Sequence, residues 1–215
     1  MSASGTQRSR ADRWIDTIAA VLLALAAVAT AWSSYQASRW TGEQAKAFFA
    51  ASAARVESTR ASSLANAQTQ VDVAVFTQWV DAELRGEDEL ADFYEERFRE
   101  EFEPAFQAWL ATDPFDDAAA PPSPFAMNEY QLATREEASE LESAAEASAE
   151  LARTYVQRAT NYVLGVVLFA TSLFFAGIST KLSSTRLRGV ILGVGCVVFL
   201  SAASWIATFP ISLSI

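Results

Sequence analysis

Histidine is absent from the 215 residues, and cysteine occurs once. Without histidine, Ser-His-Asp and Cys-His catalytic arrangements are excluded, as are His-ligated zinc and haem. One cysteine allows no internal disulfide and no CxxC site. Proline is scarce, with six residues, and glycine has eight. Positive charge is also short: 16 Lys and Arg stand against 26 Asp and Glu, for a net charge of −10. So acidic a chain is a poor nucleic-acid binder. The expectation is a non-enzyme with no catalytic, cofactor-binding or metal-binding residues and no cofactor.

What the chain does have is apolar sequence gathered at its two ends. Crossing a bilayer takes about 20 residues of helix. Three stretches are long enough: 14–35, 161–180 and 189–209. Backbone polar groups in hydrocarbon must be satisfied within the segment, so each is predicted to be a transmembrane helix. Trp14 lies at one end of these spans, and Trp32, Tyr35, Trp40, Tyr162 and Trp205 at the other. Amphipathic rings settle at such interfaces.

Basic residues set the orientation. Arg8, Arg10 and Arg13 precede the first span, and Lys181, Arg186 and Arg188 lie in the turn between the second and third. Three spans put both groups on one side, and basic flanks mark the cytoplasm. The predicted organisation is a cytoplasmic tail (1–13), a span (14–35), an extracytoplasmic domain (36–160), a span (161–180), a basic cytoplasmic turn (181–188), a span (189–209) and an extracytoplasmic end (210–215). The central domain holds 24 of the acids and 10 of the bases, a net of −14. The first apolar run, ending at Ala29-Thr30-Ala31, also resembles a cleavable signal peptide. No helix breaker precedes Ala29, and the helical pattern runs on through Tyr35 and Ala37. A retained membrane helix is therefore expected.

Within 36–160, apolar residues recur at helical spacing with gaps: Ala47, Ala51, Ala54, then Ala61 and Ala65, then Val75, Trp79 and Ala82. The first span should continue straight into this helix and stop at Gly86. A second helix is predicted over 87–111. Its apolar side is Leu90, Phe93, Tyr94, Phe98, Phe102, Phe106, Trp109 and Leu110, and Pro104 should kink or split it. A Pro- and Asp-rich loop follows at 112–126. A third helix should begin near Asn128 as N-cap and run without a break into the second span. It carries a heptad: Ala138, Leu141, Ala145, Ser148, Ala152, Tyr155, Ala159 and Tyr162. That spacing predicts a left-handed coiled-coil seam, with Ser148 its polar exception. At about 1.5 Å per residue, 36–85 rises about 75 Å and 128–160 spans about 50 Å. The expected fold is all-α: three transmembrane helices carrying an extracytoplasmic helical hairpin or three-helix stalk.

Other features each have a plain explanation. Asp113, Asp116 and Asp117 crowd a loop but lack the EF-hand pattern, so they read as solvated. Glu87, Asp88 and Glu89, and Glu136, Glu137, Glu140 and Glu142, read as solvated faces and helix-dipole partners. Asp16, near Arg13 at the interface, reads as hydrated. Thr30, Thr171, Ser172, Ser201 and Ser204 can return hydrogen bonds to their own helices. Gly189 and Gly193 form a GxxxG pair sharing a face with Cys196, a buried packing thiol. Two partners are available to it, the same face of a second copy and the small-residue stripe Ala20, Ala24, Ala27 and Ala31 of the same chain; the second is expected.

The stretches AWSSYQASRWTGEQA, QVDVAVFTQWVDA, PPSPFAMNEY and FFAGISTKL resemble a group of small bacterial three-span membrane proteins with no assigned function. The resemblance implies a bacterial plasma-membrane location and transfers no activity, ligand or site residue. Three roles are in view. The first is a membrane protein whose outer helical domain binds a protein partner or another copy of itself. The second is a subunit of a cation channel or transport complex with an acidic vestibule. The third is an extracytoplasmic sensor, weakened by the small cytoplasmic share of the chain.

Overall fold

The computed structural model describes residues 10–212. Among them the secondary structure is helical, with no strand. The helices are α1 (Arg10–Arg85), α2 (Asp88–Glu95), α3 (Glu103–Leu110), α4 (Ala133–Ser179) and α5 (Thr185–Ile206), with a short 3-10 turn at Pro124–Ala126. Three of them, α1, α4 and α5, are long and apolar enough to cross a membrane.

The chain divides into two compact units. One comprises the described residues up to Phe48 and from Ala149 on; the other is Phe49–Ser148. This unit, divided off by packing, lies inside the predicted 36–160 domain. Ala37, Trp40 and Ala159 lie beyond the apolar spans yet belong to the buried core of the first unit, with Tyr162, Phe169, Ala202 and Ile206. Packing, not hydropathy, sets the division. α5 also begins and ends a few residues before the predicted 189–209.

α1 contains no proline and one interior glycine, Gly42, so nothing breaks its hydrogen-bond ladder. It stops where predicted. Gly86 adopts φ +70°, the left-handed conformation that glycine takes most easily. The Glu87 N–H donates to the Ala82 carbonyl and the Gly86 N–H to the Glu83 carbonyl, both at 3.0 Å. This is a Schellman cap, which satisfies the last carbonyls of the helix.

The second unit has an aromatic core: Phe76 and Trp79 of α1 meet Phe102, Phe106 and Trp109, with Ala82 and Ala91. The predicted helix 87–111 is two helices. The break falls at 96–102, before Pro104 rather than at it. Pro104 sits in the first turn of α3, where its missing N–H is not needed. Leu90 and Phe93 do not join the core: they are 38% and 46% exposed. Phe93 is covered by the Arg97 guanidinium, 3.5 Å from its ring centre.

α4 starts at Ala133, not near Asn128. Residues 127–131 form turns that seat the Tyr130 ring 5.1 Å from Phe125 and 5.9 Å from Phe102. Burying that ring outweighs an early helix start. The first free N–H of α4, at Ala133, is taken by Glu101 Oε1 at 3.2 Å. A carboxylate from another segment thus caps the helix where its dipole is positive. Along α4 the heptad is legible in burial. Ala138 and Ala145 are buried in the second unit; Ala152, Ala159 and Tyr162 are buried in the first.

The gaps in the α1 pattern are filled by polar residues. Ala51, Ala54, Ser58, Ala61, Ala65, Gln68, Asp72, Val75, Trp79 and Ala82 step alternately by three and four, and none is exposed. Ser58 Oγ donates to the Ala138 carbonyl at 2.9 Å, and Thr134 Oγ1 donates to Gln68 Oε1 at 2.6 Å. Burial of each polar group is offset by a bond across the seam.

Candidate functional site

Two buried polar centres organise the molecule, one in each unit. The centre of the second unit is Asp72, whose side chain is 1% exposed. Arg99 donates to its Oδ2 at 3.0 Å, and the Tyr130 hydroxyl donates to the same oxygen at 2.9 Å. Arg99 also binds Glu101, the residue that caps α4. α1, the 96–102 turn and α4 are therefore joined by one chain of charges. Beside it, Glu101, Tyr130, Arg135, Glu136 and Ser139 line an open concavity of ≈ 570 Å³. The Asp72 carboxylate is committed to two donors, which tie α1 to the 96–102 turn and to Tyr130.

Burial raises the Tyr130 hydroxyl above its ordinary value of 10.0, with a further upward push from Asp72 and opposition from Thr69 and Arg99. The sign of the pH dependence follows. Below pH 10 the folded and unfolded chains both keep the proton, and the contribution is fully present. Above it the unfolded chain ionises first, and the contribution is lost as pH rises through the higher folded value. Thermal melts between pH 8 and 11 should therefore show wild type losing its advantage over Tyr130→Phe as pH rises. A constant difference would show that the phenol does not titrate with folding.

The centre of the first unit is Arg188, whose side chain is 11% exposed. Its Nε donates to the Ser179 carbonyl at the end of α4, at 3.1 Å. Its two terminal nitrogens reach Asp12, at 3.6 Å, and Asp16, both on α1. Thr185 adds a 2.9 Å bond to Asp12. Asp16 is thus not simply hydrated beside Arg13. It is one anchor of a guanidinium that ties three helices together. Sequence reasoning counted Arg188 only as a topogenic charge; its partners are too far away in the chain for any local pattern to reveal them.

The small-residue expectation is corrected. Gly189 and Gly193 face open space, and a Cβ at either would meet nothing within 4 Å. Ala20, Ala24, Ala27 and Ala31 are exposed, and the buried face of α1 is Ala19, Leu22, Ala26 and Ser33. Close packing falls instead at Gly195, where a Cβ would lie 3.2 Å from Phe175 Cβ and 3.5 Å from Leu22 Cδ2 and the Ser172 carbonyl. Gly195→Leu should lower the melting temperature of the detergent-solubilised chain by several degrees, while Gly193→Leu should leave the monomer unchanged. Equal effects would mean that the packed face is misassigned. Cys196 is half-buried beside the Ala19–Leu22–Ala176–Leu192 core.

Asp113 has φ 57°, the Asp116 and Asp117 amides donate to its carbonyl, and Asp117 Oδ1 accepts from the Ala119 amide at 2.8 Å. These residues build turns. Among the described residues no group of three or more His, Cys, Asp or Glu is arranged to hold a metal ion. Asp88 and Glu89 lie in the first turn of α2, and Glu136 in that of α4, where negative charge meets the positive end of the dipole. Glu142 lies 3.6 Å from Arg55. Thr30 and Thr171 do bond back to their own helices, at 2.7 and 2.8 Å. Ser172 does not: its hydroxyl is buried without a partner, as is that of Ser33.

Comparison with protein-family models, curated proteins and solved structures gave no match.

Proposed function

We propose that this chain is a non-enzymatic, multi-pass bacterial plasma-membrane protein whose acidic helical unit engages a protein partner or another copy of itself. The N-terminus is placed in the cytoplasm, the first span is retained, and residues 36–160 are placed outside. The six bases flanking the spans support that orientation. Heptad-spaced burial on α1 and α4 supports a coiled-coil-like outer domain.

One observation carries the interaction reading. On α1, away from the buried seam, Val56, Leu64 and Val71 are 53%, 53% and 51% exposed. Ala53, Ala67 and Ala74 are exposed beside them, and Arg60 is the one charge in the row. Apolar side chains at this spacing form a stripe along one helix face. Exposed apolar stripes of this length mark interaction surfaces. The test is purification of the full chain in mild detergent with the mass of the native particle measured. Association should be present in wild type, reduced by Leu64→Glu and kept by Ser62→Glu. A lone monomer, or equal behaviour of the two variants, overturns the reading. External protease should cut the 112–126 loop in intact spheroplasts; cutting only after lysis reverses the orientation.

A cation-channel or transport subunit is the second reading. It draws on Ser33 and Ser172, whose hydroxyls are buried in the membrane unit without partners. Ion flux across a bilayer reconstituted with the chain would favour it.

A further inference from the structure

The first two turns of α1 sort their charges onto two sides. Successive helical residues are turned by about 100°, so Asp12 and Asp16 share one side and Arg10, Trp14 and Thr17 another, with Arg13 at its edge. Arg188 holds both carboxylates on the inner side. The outer side is left basic. Arg10, Arg13, Trp14 and Thr17 line an open concavity of ≈ 570 Å³. Trp14 is 65% exposed there, as expected of a ring at a membrane interface.

The same side of α1 continues inward as an apolar groove. Ile18, Val21 and Leu25 face Cys196, Phe199 and Leu200 of α5 across a channel of ≈ 200 Å³. From Thr17 to Leu25 the helix rises about 12 Å. The cationic cup ends at Thr17 and the apolar trough begins at Ile18, the next residue of α1, both within the first unit.

We propose that this continuous site binds one anionic phospholipid, with its phosphate between Arg10 and Arg13 and part of one acyl chain in the groove between α1 and α5. Paired guanidiniums suit a phosphate, to which each can donate two parallel hydrogen bonds. A zwitterionic lipid brings an ammonium group beside its phosphate, which the same arginines repel. A second copy of the chain fits poorly. Of its 26 acids, 24 lie in residues 36–160, and the other two are Asp12 and Asp16, which Arg188 holds. The inference needs the chain to lie in a membrane; it does not depend on a protein partner.

The test uses the full chain in mild detergent, with equal dioleoylphosphatidylglycerol and dioleoylphosphatidylcholine added and retained lipid counted by native mass spectrometry. One phosphatidylglycerol should be retained with roughly tenfold preference. R10Q/R13Q should bring the two lipids to parity, whereas R186Q, which removes a base outside the site, should leave the preference intact. Val21→Trp, which fills the groove, should remove the bound lipid although both arginines remain. Inorganic phosphate alone should not compete at the concentration where the lipid saturates. Equal retention of the two lipids in wild type, a preference that survives R10Q/R13Q, or an equal loss in R186Q would overturn the assignment. So would unchanged binding in Val21→Trp or full displacement by phosphate.

Discussion

Asp72→Ala should lower the stability of the second unit by about 3 kcal/mol. The side chain removed is small, so little packing is lost. The cost comes from what remains. Arg99, 24% exposed, keeps Glu101 but loses its inner carboxylate, and the Tyr130 hydroxyl loses its shorter bond and keeps only Thr69 Oγ1 at 3.2 Å. A charge left in partial burial without its partner is expensive, whereas a pair replaced by apolar groups of similar volume is often neutral. Asp72→Leu combined with Arg99→Met should therefore be much less damaging than Asp72→Ala. Amide hydrogen exchange on the full chain in detergent is the measurement. Faster exchange should concentrate in 65–140 and spare α5. If the double variant is as unstable as the single, the cluster is not an isolated ion pair.

Phe106→Ala should cost about 3 to 5 kcal/mol by a different route. Phe106 is fully buried, with its ring 4.7 Å from Phe98 and 4.8 Å from Trp79. Truncation leaves a cavity among rings that also pack on one another, so collapse into the space is limited. Phe93→Ala, in the same stretch of sequence, should cost less than about 1 kcal/mol, since Phe93 is half exposed. Denaturant melts followed by tryptophan fluorescence would compare them. Similar losses for the two phenylalanines would mean that the aromatic core has been drawn wrongly.

The contrast between these two residues marks how far the sequence was legible. Spacing and Gly86 identified α1 and its end, and spacing identified the alanine face of α4. These follow from rules that act within about one turn of helix. Phe93 and Phe106 look alike on that scale, and only the break at 96–102 separates them. The break is decided by what Arg99 and Phe102 meet on α1, which no local pattern contains. The N-cap at Asn128 failed for the same reason: burying Tyr130 and Leu132 was worth more than a good cap. The gaps at Ser58, Gln68 and Asp72 were visible, yet they looked like interruptions. They are seam positions whose partners, Ala138, Thr134 and Arg99, lie elsewhere in the chain. The glycines show a further limit. Gly189 and Gly193 match a motif yet face open space, whereas Gly165, against Ile206, and Gly195, against Phe175, match none and are packed.

Arg188 also has a bearing on biosynthesis. Its partner Asp16 lies 172 residues earlier. At about 5 to 20 residues per second, the ribosome needs roughly 10 to 35 s between them. Once Arg85 is made α1 is complete, and for the rest of that interval its Asp12 and Asp16 lack the Arg188 clasp. Until Arg188 emerges, nothing in its place joins these carboxylates of α1 to the Ser179 carbonyl at the end of α4. The clasp closes only after α5 has begun to emerge, so a chain truncated before α5 lacks the tie from its first helix to the end of α4.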